Sequence, residues 1–147
     1  MKKEAASKKP YEAVIIVHPD ASIEDQKELF RKNKTTISTF KGSVHSLEAW
    51  GKRNLGAPIG KLKKAYYFHT LFETETGAIT ELERTMRIND KVLRFMHTRL
   101  DERIPIVKHH EAFKKGLAES ATREKEREAK AQARRAAFAA ARAERSE

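Results

Sequence analysis

Residues 52–64 concentrate side chains whose chemistry is the neutralisation of negative charge. Lysine and arginine bind phosphate groups, and the counterions that a polyanion then releases favour complex formation. The five cations are Lys52, Arg53, Lys61, Lys63 and Lys64. They are the leading candidates for contact with nucleic-acid phosphates, and the alternative is a solvated loop that is simply rich in lysine.

Two smaller groups of basic residues extend this positive charge. Lys2 and Lys3 belong to a basic arm at residues 1–10, which either lies along phosphates or frays into solvent. Arg87 and Arg94 fall in the second predicted helix and the last predicted strand. Cations in such positions also protect sheet edges from aggregation, so their assignment to nucleic acid depends on charge alone.

The composition of the 147-residue chain favours an anionic partner. Lysine and arginine number 31 against 21 acidic residues, which gives a net charge of +10 and an isoelectric point near 9.9. Nucleic acid is the first candidate for that partner, and an anionic membrane surface is the second. No apolar run reaches the roughly 18 residues that span a bilayer, and no apolar segment follows the N-terminal lysines. We therefore expect a cytoplasmic protein without a membrane span or a signal peptide.

Catalysis and metal binding have little support in the sequence. The chain contains no cysteine, which excludes a thiol nucleophile and a cysteine-ligated zinc site. No HExxH, GxSxG, GxGxxG or P-loop motif occurs, and the histidines are scattered along the chain without a partner cluster of carboxylates. We expect neither an enzyme nor a bound metal or cofactor, and no small-molecule substrate.

Six elements can be placed in the part of the chain that carries apolar patterning. Alternating apolar residues predict strands over 11–18, 43–51, 63–74 and 91–102. Helical spacing predicts helices over 23–37, which follows the N-cap Ser22, and over 78–90. Residues 51–60 are expected to form a loop or a strand bend.

The order strand, helix, strand, strand, helix, strand is that of the ferredoxin-like α+β fold. Right-handed crossovers place both helices on one face of a four-stranded antiparallel sheet and leave the other face open. The side chains expected on the open face are Val14, Ile16, Tyr67, His69 and Leu71. An exposed apolar patch of this size is typical of a protein-contact surface. We assign Trp50 to packing or to the same contact surface rather than to base stacking.

The periodicity also predicts which side chains of each element share a face. The first helix is expected to be amphipathic, with a narrow apolar stripe. Its spacing places Ile23, Lys27, Phe30 and Lys34 on one face, with Leu29 and Ile37 beside it. The second helix is expected to bury Ile79, Leu82, Met86 and Ile88. In the last strand, alternation groups Val92 with Arg94, Met96 and Thr98.

Residues 111–147 differ in composition from residues 11–110, which we expect to form the globular domain. Alanine, glutamate, arginine and lysine dominate this extension, so its composition favours a helix but provides no apolar stripe to build a core. We expect a solvated helix or a disordered segment. A helix could dock on nucleic acid or on a neighbouring protein, whereas a membrane-surface helix would need an apolar face that is missing.

Several short motifs, in this order and spacing, resemble those of the sixth protein of the bacterial small ribosomal subunit, ribosomal protein S-six (S6). The matching segments are YE at 11–12, VHPD at 17–20, LEAWGKRNL at 47–55, PI at 58–59, KLKKAYY at 61–67 and RINDKVLRFM at 87–96. The resemblance extends from Tyr11 to about Arg103 and thus covers nearly all of the predicted globular part.

The resemblance implies a ferredoxin-like fold and a structural, non-catalytic role on cytoplasmic ribosomes, without a cofactor. It also implies binding to the central domain of the small-subunit (16S) rRNA, on the platform, as a heterodimer with ribosomal protein S-eighteen (S18) among other subunit components. The basic residues of 52–64 then become rRNA contacts and the open sheet face an S18 contact. The chain departs from the family pattern at Gly56-Ala57, where the family has Ala-Tyr. Any contact made by that tyrosine is not transferred.

Two other functions stay open beside this one. A free-standing RNA-recognition regulator would share the topology and stack bases on sheet aromatics. The segment 64–69 lacks the aromatic signature of that class, and alternation turns Tyr66, Phe68 and Phe72 toward the helices. A small ferredoxin-like enzyme or metabolite-binding domain would need a pocket with perturbed carboxylates.

Overall fold

Two central strands, flanked by two edge strands and covered on one side by two helices, make up the globular part of the chain. The structure, a computed structural model, describes residues 7–145. Its elements are β1 Lys9–Val17, α1 Ile23–Thr39, β2 Ser43–Ile59, β3 Leu62–Thr74, α2 Gly77–Arg87, β4 Val92–Arg99 and α3 Ile106–Glu144. The sheet has the order β2-β3-β1-β4, and every neighbouring pair is antiparallel. The predicted ferredoxin-like fold is confirmed.

The core lies between the helices and one face of the sheet. Alternate residues of β1, from Tyr11 to Val17, are buried, while the residues between them are only partly covered. These side chains pack with Phe68 and Phe72 of β3, with Leu29 and Ile37 of α1, and with Leu82 and Met86 of α2. Burial of such apolar groups is the main favourable contribution to folding.

The predicted helical stripes are correct at their centres and wrong at their ends. Leu29 and Ile37 are buried in α1, and Leu82 and Met86 are buried in α2. Ile23 and Ile88 are instead 69% and 70% exposed, because each lies at an end of its helix. The buried positions that replace them are polar or small, namely Asn33 and Ala78.

Both ends of α1 have a defined cap. The Ser22 hydroxyl accepts a hydrogen bond from the backbone N–H of Asp25 at 3.1 Å, and the Asp25 carboxylate accepts one from the N–H of Ser22. This capping box confirms Ser22 as the predicted N-cap. At the other end, Lys41 adopts a φ of 59° and the N–H of Gly42 donates to the carbonyl of Ile37 at 2.8 Å. The arrangement is a Schellman motif, with lysine at the position that usually holds glycine.

A bulge in β4, where Leu93 is the extra residue, changes the face of one residue of that strand. Ile16 is opposite Arg94, but the next residue, Val17, is opposite Val92, so the register shifts between them. Val92 therefore packs against the core instead of sharing a face with Arg94 and Met96. The predicted grouping of Val92 with those residues is wrong, because strict alternation cannot anticipate a bulge.

Of the two alternatives predicted for residues 51–60, a loop or a strand bend, the loop is wrong. β2 continues through this segment to Ile59, and the chain reverses only at Gly60-Lys61. Gly60 has a φ of 58°, as the first central residue of a primed hairpin turn requires. The pairing is interrupted between Asn54 and Ile59, where β2 has several more residues than β3. Residues 55–58 are thus not paired with β3, although the strand continues through them.

A carboxylate joins the start of β1 to the end of β4. The Glu102 carboxylate accepts a hydrogen bond from the Lys9 ammonium at 2.8 Å and another from the Arg99 guanidinium. The two cations, with Lys9 the stronger influence, hold the pKa of Glu102 below its usual value. The edge strand β4 is thereby fastened to β1 at the surface.

His97 makes the stability of the domain depend on pH. Its side chain is 3% exposed, and burial lowers its pKa, although Glu83 at 3.5 Å acts in the opposite direction. Below pH ~6.5 the unfolded chain gains a proton that the folded chain resists, so we expect the free energy of unfolding to decrease as the pH falls. Denaturant titrations between about pH 5 and 7.5 measure this slope.

The matched comparison is between His97→Gln and the wild-type chain. His97→Gln removes the buried imidazole and should flatten the pH dependence of the free energy of unfolding. An unchanged slope in His97→Gln would show that other groups control the acid side of stability.

The C-terminal extension is helical in the structure. The contacts of the chain divide it into two units, Met1–Ile106 and Val107–Glu147. Helix α3 has 39 residues and buries no side chain. Of the two predicted states of this segment, helix and disorder, the structure contains the helix. None of the helices within residues 7–145 combines the length and the apolar character that a membrane span requires.

Candidate nucleic-acid interface

The strands β2 and β3 extend beyond the rest of the sheet as a two-stranded ribbon. β1 pairs with β3 only as far as Val17 opposite Tyr66. The residues of β3 before Tyr66 pair with β2 alone, from Arg53 opposite Ala65 to Ile59 opposite Leu62. We call this ribbon, together with the pair Lys52 and Tyr66 at its base and the turn at Gly60-Lys61, the basic hairpin. It contains all five cations predicted between residues 52 and 64.

The basic hairpin presents its cations on both faces. The Lys52 ammonium lies 5.3 Å from the centre of the Tyr66 ring, on the side of the helices. The Arg53 guanidinium lies 5.6 Å from the centre of the Trp50 ring, on the opposite side. Along β3, Lys63 and Lys64 alternate in the same way. The structure thus brings the five residues onto one ribbon but not onto one flat patch.

The positive charge of the basic hairpin is not neutralised within the described part of the chain. In residues 7–145, none of the five cations forms a salt bridge with a carboxylate. Four of them are exposed, and Arg53 is half-buried while donating from Nε to the Trp50 carbonyl at 3.2 Å. Such a ribbon is able to contact phosphates on either side, because each ammonium reaches solvent on a flexible stem.

The other predicted basic residues have different surroundings. Arg94 lies on the face of the sheet opposite the helices, next to Ile16. Arg87 belongs to α2, where it pairs with Glu83 at 3.3 Å and lies 5.9 Å from the centre of the Phe95 ring. Its charge is therefore partly neutralised. Lys2 and Lys3 lie outside the described residues.

The predicted partner residues share the sheet face opposite the helices, which we call the open face. Cross-strand pairing places Tyr67, Ile16 and Arg94 in one row. His69, Val14 and Met96 form the next row. The Trp50 ring stacks against the two β3 residues of these rows, with its centre 6.1 Å from that of Tyr67 and 5.9 Å from that of His69.

The open face is more covered than the sequence predicts. His69 and Leu71 are 0% and 1% exposed, so the expectation that both are surface residues is wrong. For His69 the physical reason is visible, since the Trp50 ring covers it and Nε2 lies 3.1 Å from a Glu12 carboxylate oxygen. Val14, Ile16, Trp50 and Tyr67 keep partial exposure.

Met96 is an open-face residue that the sequence analysis did not assign to a function. It is 55% exposed and lies opposite Val14 on β4. The alternation of β4 placed it on the same face as Arg94, and this was the signal that could have identified it. Met96 and Arg94 extend the open face to the edge strand of the sheet.

The described residues contain no evident site for catalysis or metal. Residues 7–145 hold no group of three or more histidine, aspartate or glutamate side chains placed to bind a metal ion. A cleft of about 450 Å³ opens beside α1, above β2 and β3, with walls formed largely by Phe30, Val44, Leu47 and Phe68. No carboxylate among the described residues lines this cleft, and the histidine that lines it, His97, has only 3% of its side chain exposed.

Comparison with known proteins decides the family. The family model described as Ribosomal protein S6 matches residues 10–99. The chain belongs to the ribosomal protein S6 family. The small ribosomal subunit protein bS6 of Bdellovibrio bacteriovorus is 74% identical over 141 residues, which cover 96% of this chain and 93% of that protein. The bS6 of Geobacter metallireducens is 40% identical over 92 residues, which cover 63% of this chain and 78% of that protein.

A solved S6 structure agrees with the fold. The 30S ribosomal protein S6 of Thermotoga maritima superposes with a TM-score of 0.59 and covers 76% of this chain and 99% of that one, at 21% sequence identity. Membership of the S6 family makes the chain a structural protein of the small subunit of cytoplasmic ribosomes. The prediction of a non-enzymatic ribosomal protein is thereby confirmed.

Proposed function

We propose that the chain binds the central domain of 16S rRNA, on the platform of the small subunit, as a heterodimer with S18. The observation that carries this proposal is the basic hairpin, whose five cations have no carboxylate partner among the described residues. Each phosphate that a lysine or arginine neutralises releases counterions, so the hairpin would supply affinity and position the chain without reading base sequence.

The open face is the proposed contact surface for S18. Its exposed part combines the apolar side chains of Val14, Ile16 and Met96 with the Trp50–Tyr67 stack. Aromatic residues and methionine are enriched in protein interfaces, and arginine is common around them. Arg53 and Arg94 lie at opposite margins of this patch. Mostly apolar contacts surrounded by cations suit a protein partner that is itself held on rRNA.

The same geometry disfavours the free-standing RNA-recognition regulator. That function requires sheet aromatics whose ring faces are free to stack on bases. Here the rings of Tyr67 and His69 are stacked against Trp50, and Arg53 lies over the Trp50 ring. Because these rings stack on one another, their faces are not free to stack on bases. This supports a packing role for Trp50.

A charge placed on the open face tests the S18 contact. We expect Met96→Glu to weaken heterodimer formation by at least about tenfold, because a carboxylate buried without a partner in an interface costs more than about 1.4 kcal/mol. Isothermal titration of the chain with purified S18 measures the affinity. Met96 is exposed in the chain alone, so the change should leave folding intact.

Ile88→Glu is the matched control for this experiment. Ile88 is 70% exposed at the end of α2, and it receives the same change from an apolar side chain to a carboxylate. The proposal predicts wild-type affinity for Ile88→Glu. Equal affinities of the two variants and the wild type would place the S18 contact elsewhere.

A further inference from the structure

Over residues 123–142 of helix α3, most of the positive charge lies on one side. With 100° between successive residues, five of the seven cations in this segment, together with Phe138, fall within about 120° of its circumference. They are Arg123, Arg127, Lys130, Arg134, Phe138 and Arg142. We call this surface the α3 stripe. From Arg123 to Arg142 it is about 28 Å long at a rise of about 1.5 Å per residue.

The opposite side of the same helical segment has almost no functional groups. Ala129, Ala133, Ala136 and Ala140 fall within about 60° of one another on that side. No acidic residue occurs between Glu128 and Glu144, so the C-terminal half of the stripe has no carboxylate beside it. Glu124 falls within the sector of the stripe and Glu126 and Glu128 flank it, so the cations are segregated from acids only beyond Glu128.

The charges of the α3 stripe are exposed and unneutralised. Every side chain of residues 122–145 is exposed. Within residues 7–145, Arg127, Arg134 and Arg142 have no carboxylate at salt-bridge distance. A row of unpaired guanidinium groups repels itself and lowers helix stability, since like charges four residues apart are unfavourable. An anionic partner would relieve that repulsion.

The chemistry of the stripe selects among the anionic partners. A membrane-surface helix needs a broad apolar face, and this segment offers alanines and the single large apolar Phe138. Single-stranded nucleic acid is held by several aromatic platforms, which the stripe lacks. Double-stranded RNA presents continuous rows of phosphates and is bound mostly through its shape and backbone. A straight cationic row fits that target.

We infer that the α3 stripe is a second RNA-binding site, which takes the phosphate backbone of double-stranded RNA without regard to sequence. This inference deepens the proposed function, since rRNA is the source of duplex in a small-subunit protein. It concerns residues outside the segment 10–99 that matches the S6 family. The Bdellovibrio relative, whose match covers 96% of the chain, also spans most of this helix.

The test compares two full-length variants that each lose three positive charges from α3. One is Arg127→Gln/Arg134→Gln/Arg142→Gln, within the stripe. The other is Lys108→Gln/Lys115→Gln/Lys125→Gln, outside it. Glutamine, arginine and lysine have similar helix propensities, so circular dichroism should show equal helicity for both. The probe is an RNA duplex of about 20 base pairs of arbitrary sequence, titrated by fluorescence anisotropy from about 50 to 200 mM salt.

The stripe variant should bind the duplex at least ~10-fold more weakly at 100 mM salt, and its salt slope should decrease by about 2–3. The affinity of the control variant for the duplex should stay within about threefold of the wild-type affinity. The duplex carries no S18 site, so failure of the proposed S18 and rRNA function would leave this result unchanged. Equal losses in the two variants, no loss in either, or tighter binding of the wild type to phosphatidylglycerol vesicles than to the duplex would overturn the inference.

Discussion

Replacing Lys61, Lys63 and Lys64 together by alanine is expected to weaken the binding of 16S rRNA central-domain fragments, in the presence of S18, by one to two orders of magnitude. Each phosphate contact contributes a salt slope of about 0.7–0.9, which at 100 mM salt corresponds to less than about tenfold per charge. The three lysines lie at the tip of the basic hairpin and are exposed. Filter binding across a salt series measures both the affinity and the slope.

The matched control removes the same three charges from another surface. Lys27, Lys32 and Lys34 are exposed residues of α1, and Lys32 is paired with Glu28 at 3.2 Å. Their triple alanine variant should retain most of the affinity and the wild-type salt slope. If the two triple variants lose affinity equally, net charge alone governs binding and the hairpin has no special role.

A second large effect, on the stability of the domain, is expected when Gly42 is replaced by alanine. A Cβ added to Gly42 would lie 2.6 Å from Thr74 Cβ and 2.7 Å from Ile37 Cγ2, and closer still to the carbonyl oxygen of Glu73. Backbone and buried side chains cannot yield as a flexible surface group can. We expect Gly42→Ala to reduce the free energy of unfolding by about 3 kcal/mol. Urea denaturation, with its midpoint and slope, measures the loss.

Gly56→Ala is the control for this substitution. A Cβ at Gly56 meets no atom within 4 Å, and this glycine does not have a positive φ. The free energy of unfolding of Gly56→Ala should lie within about 0.5 kcal/mol of the wild-type value. A similar small effect at Gly42 would mean that the approach of α1 to the end of β3 is looser than the structure shows.

The order of elements was predictable because the strongest patterns in the chain are local. Strict alternation from Tyr11 to Val17 and a capping box at Ser22 and Asp25 leave few alternatives. Once the sequence of strands and helices is known, the handedness of the crossovers fixes the sheet order. Helix ends were less predictable, and Ile23 and Ile88 are exposed because an apolar residue in a terminal turn extends past the partner surface.

The candidate site was predictable as a set of residues but not as a surface. Lys52 and Arg53 are neighbours in sequence, yet they face opposite sides of the hairpin. The bulge opposite Tyr67, where β2 shifts register between Ala49 and Gly51, turns Trp50 over the open face. No periodicity reports such a shift, because it depends on pairing between distant strands. The burial of His69 follows from the same bulge, because the bulge places the Trp50 ring over His69.

Sedimentation of small subunits shows whether the basic hairpin holds the chain on the ribosome. We expect the chain, expressed at its natural level, to co-sediment with small ribosomal subunits at moderate salt, and the Lys61/Lys63/Lys64 alanine variant to move largely to the ribosome-free fraction. Recovery of the wild-type chain only in the ribosome-free fraction, or undiminished co-sedimentation of that variant, would show that the hairpin does not hold it there.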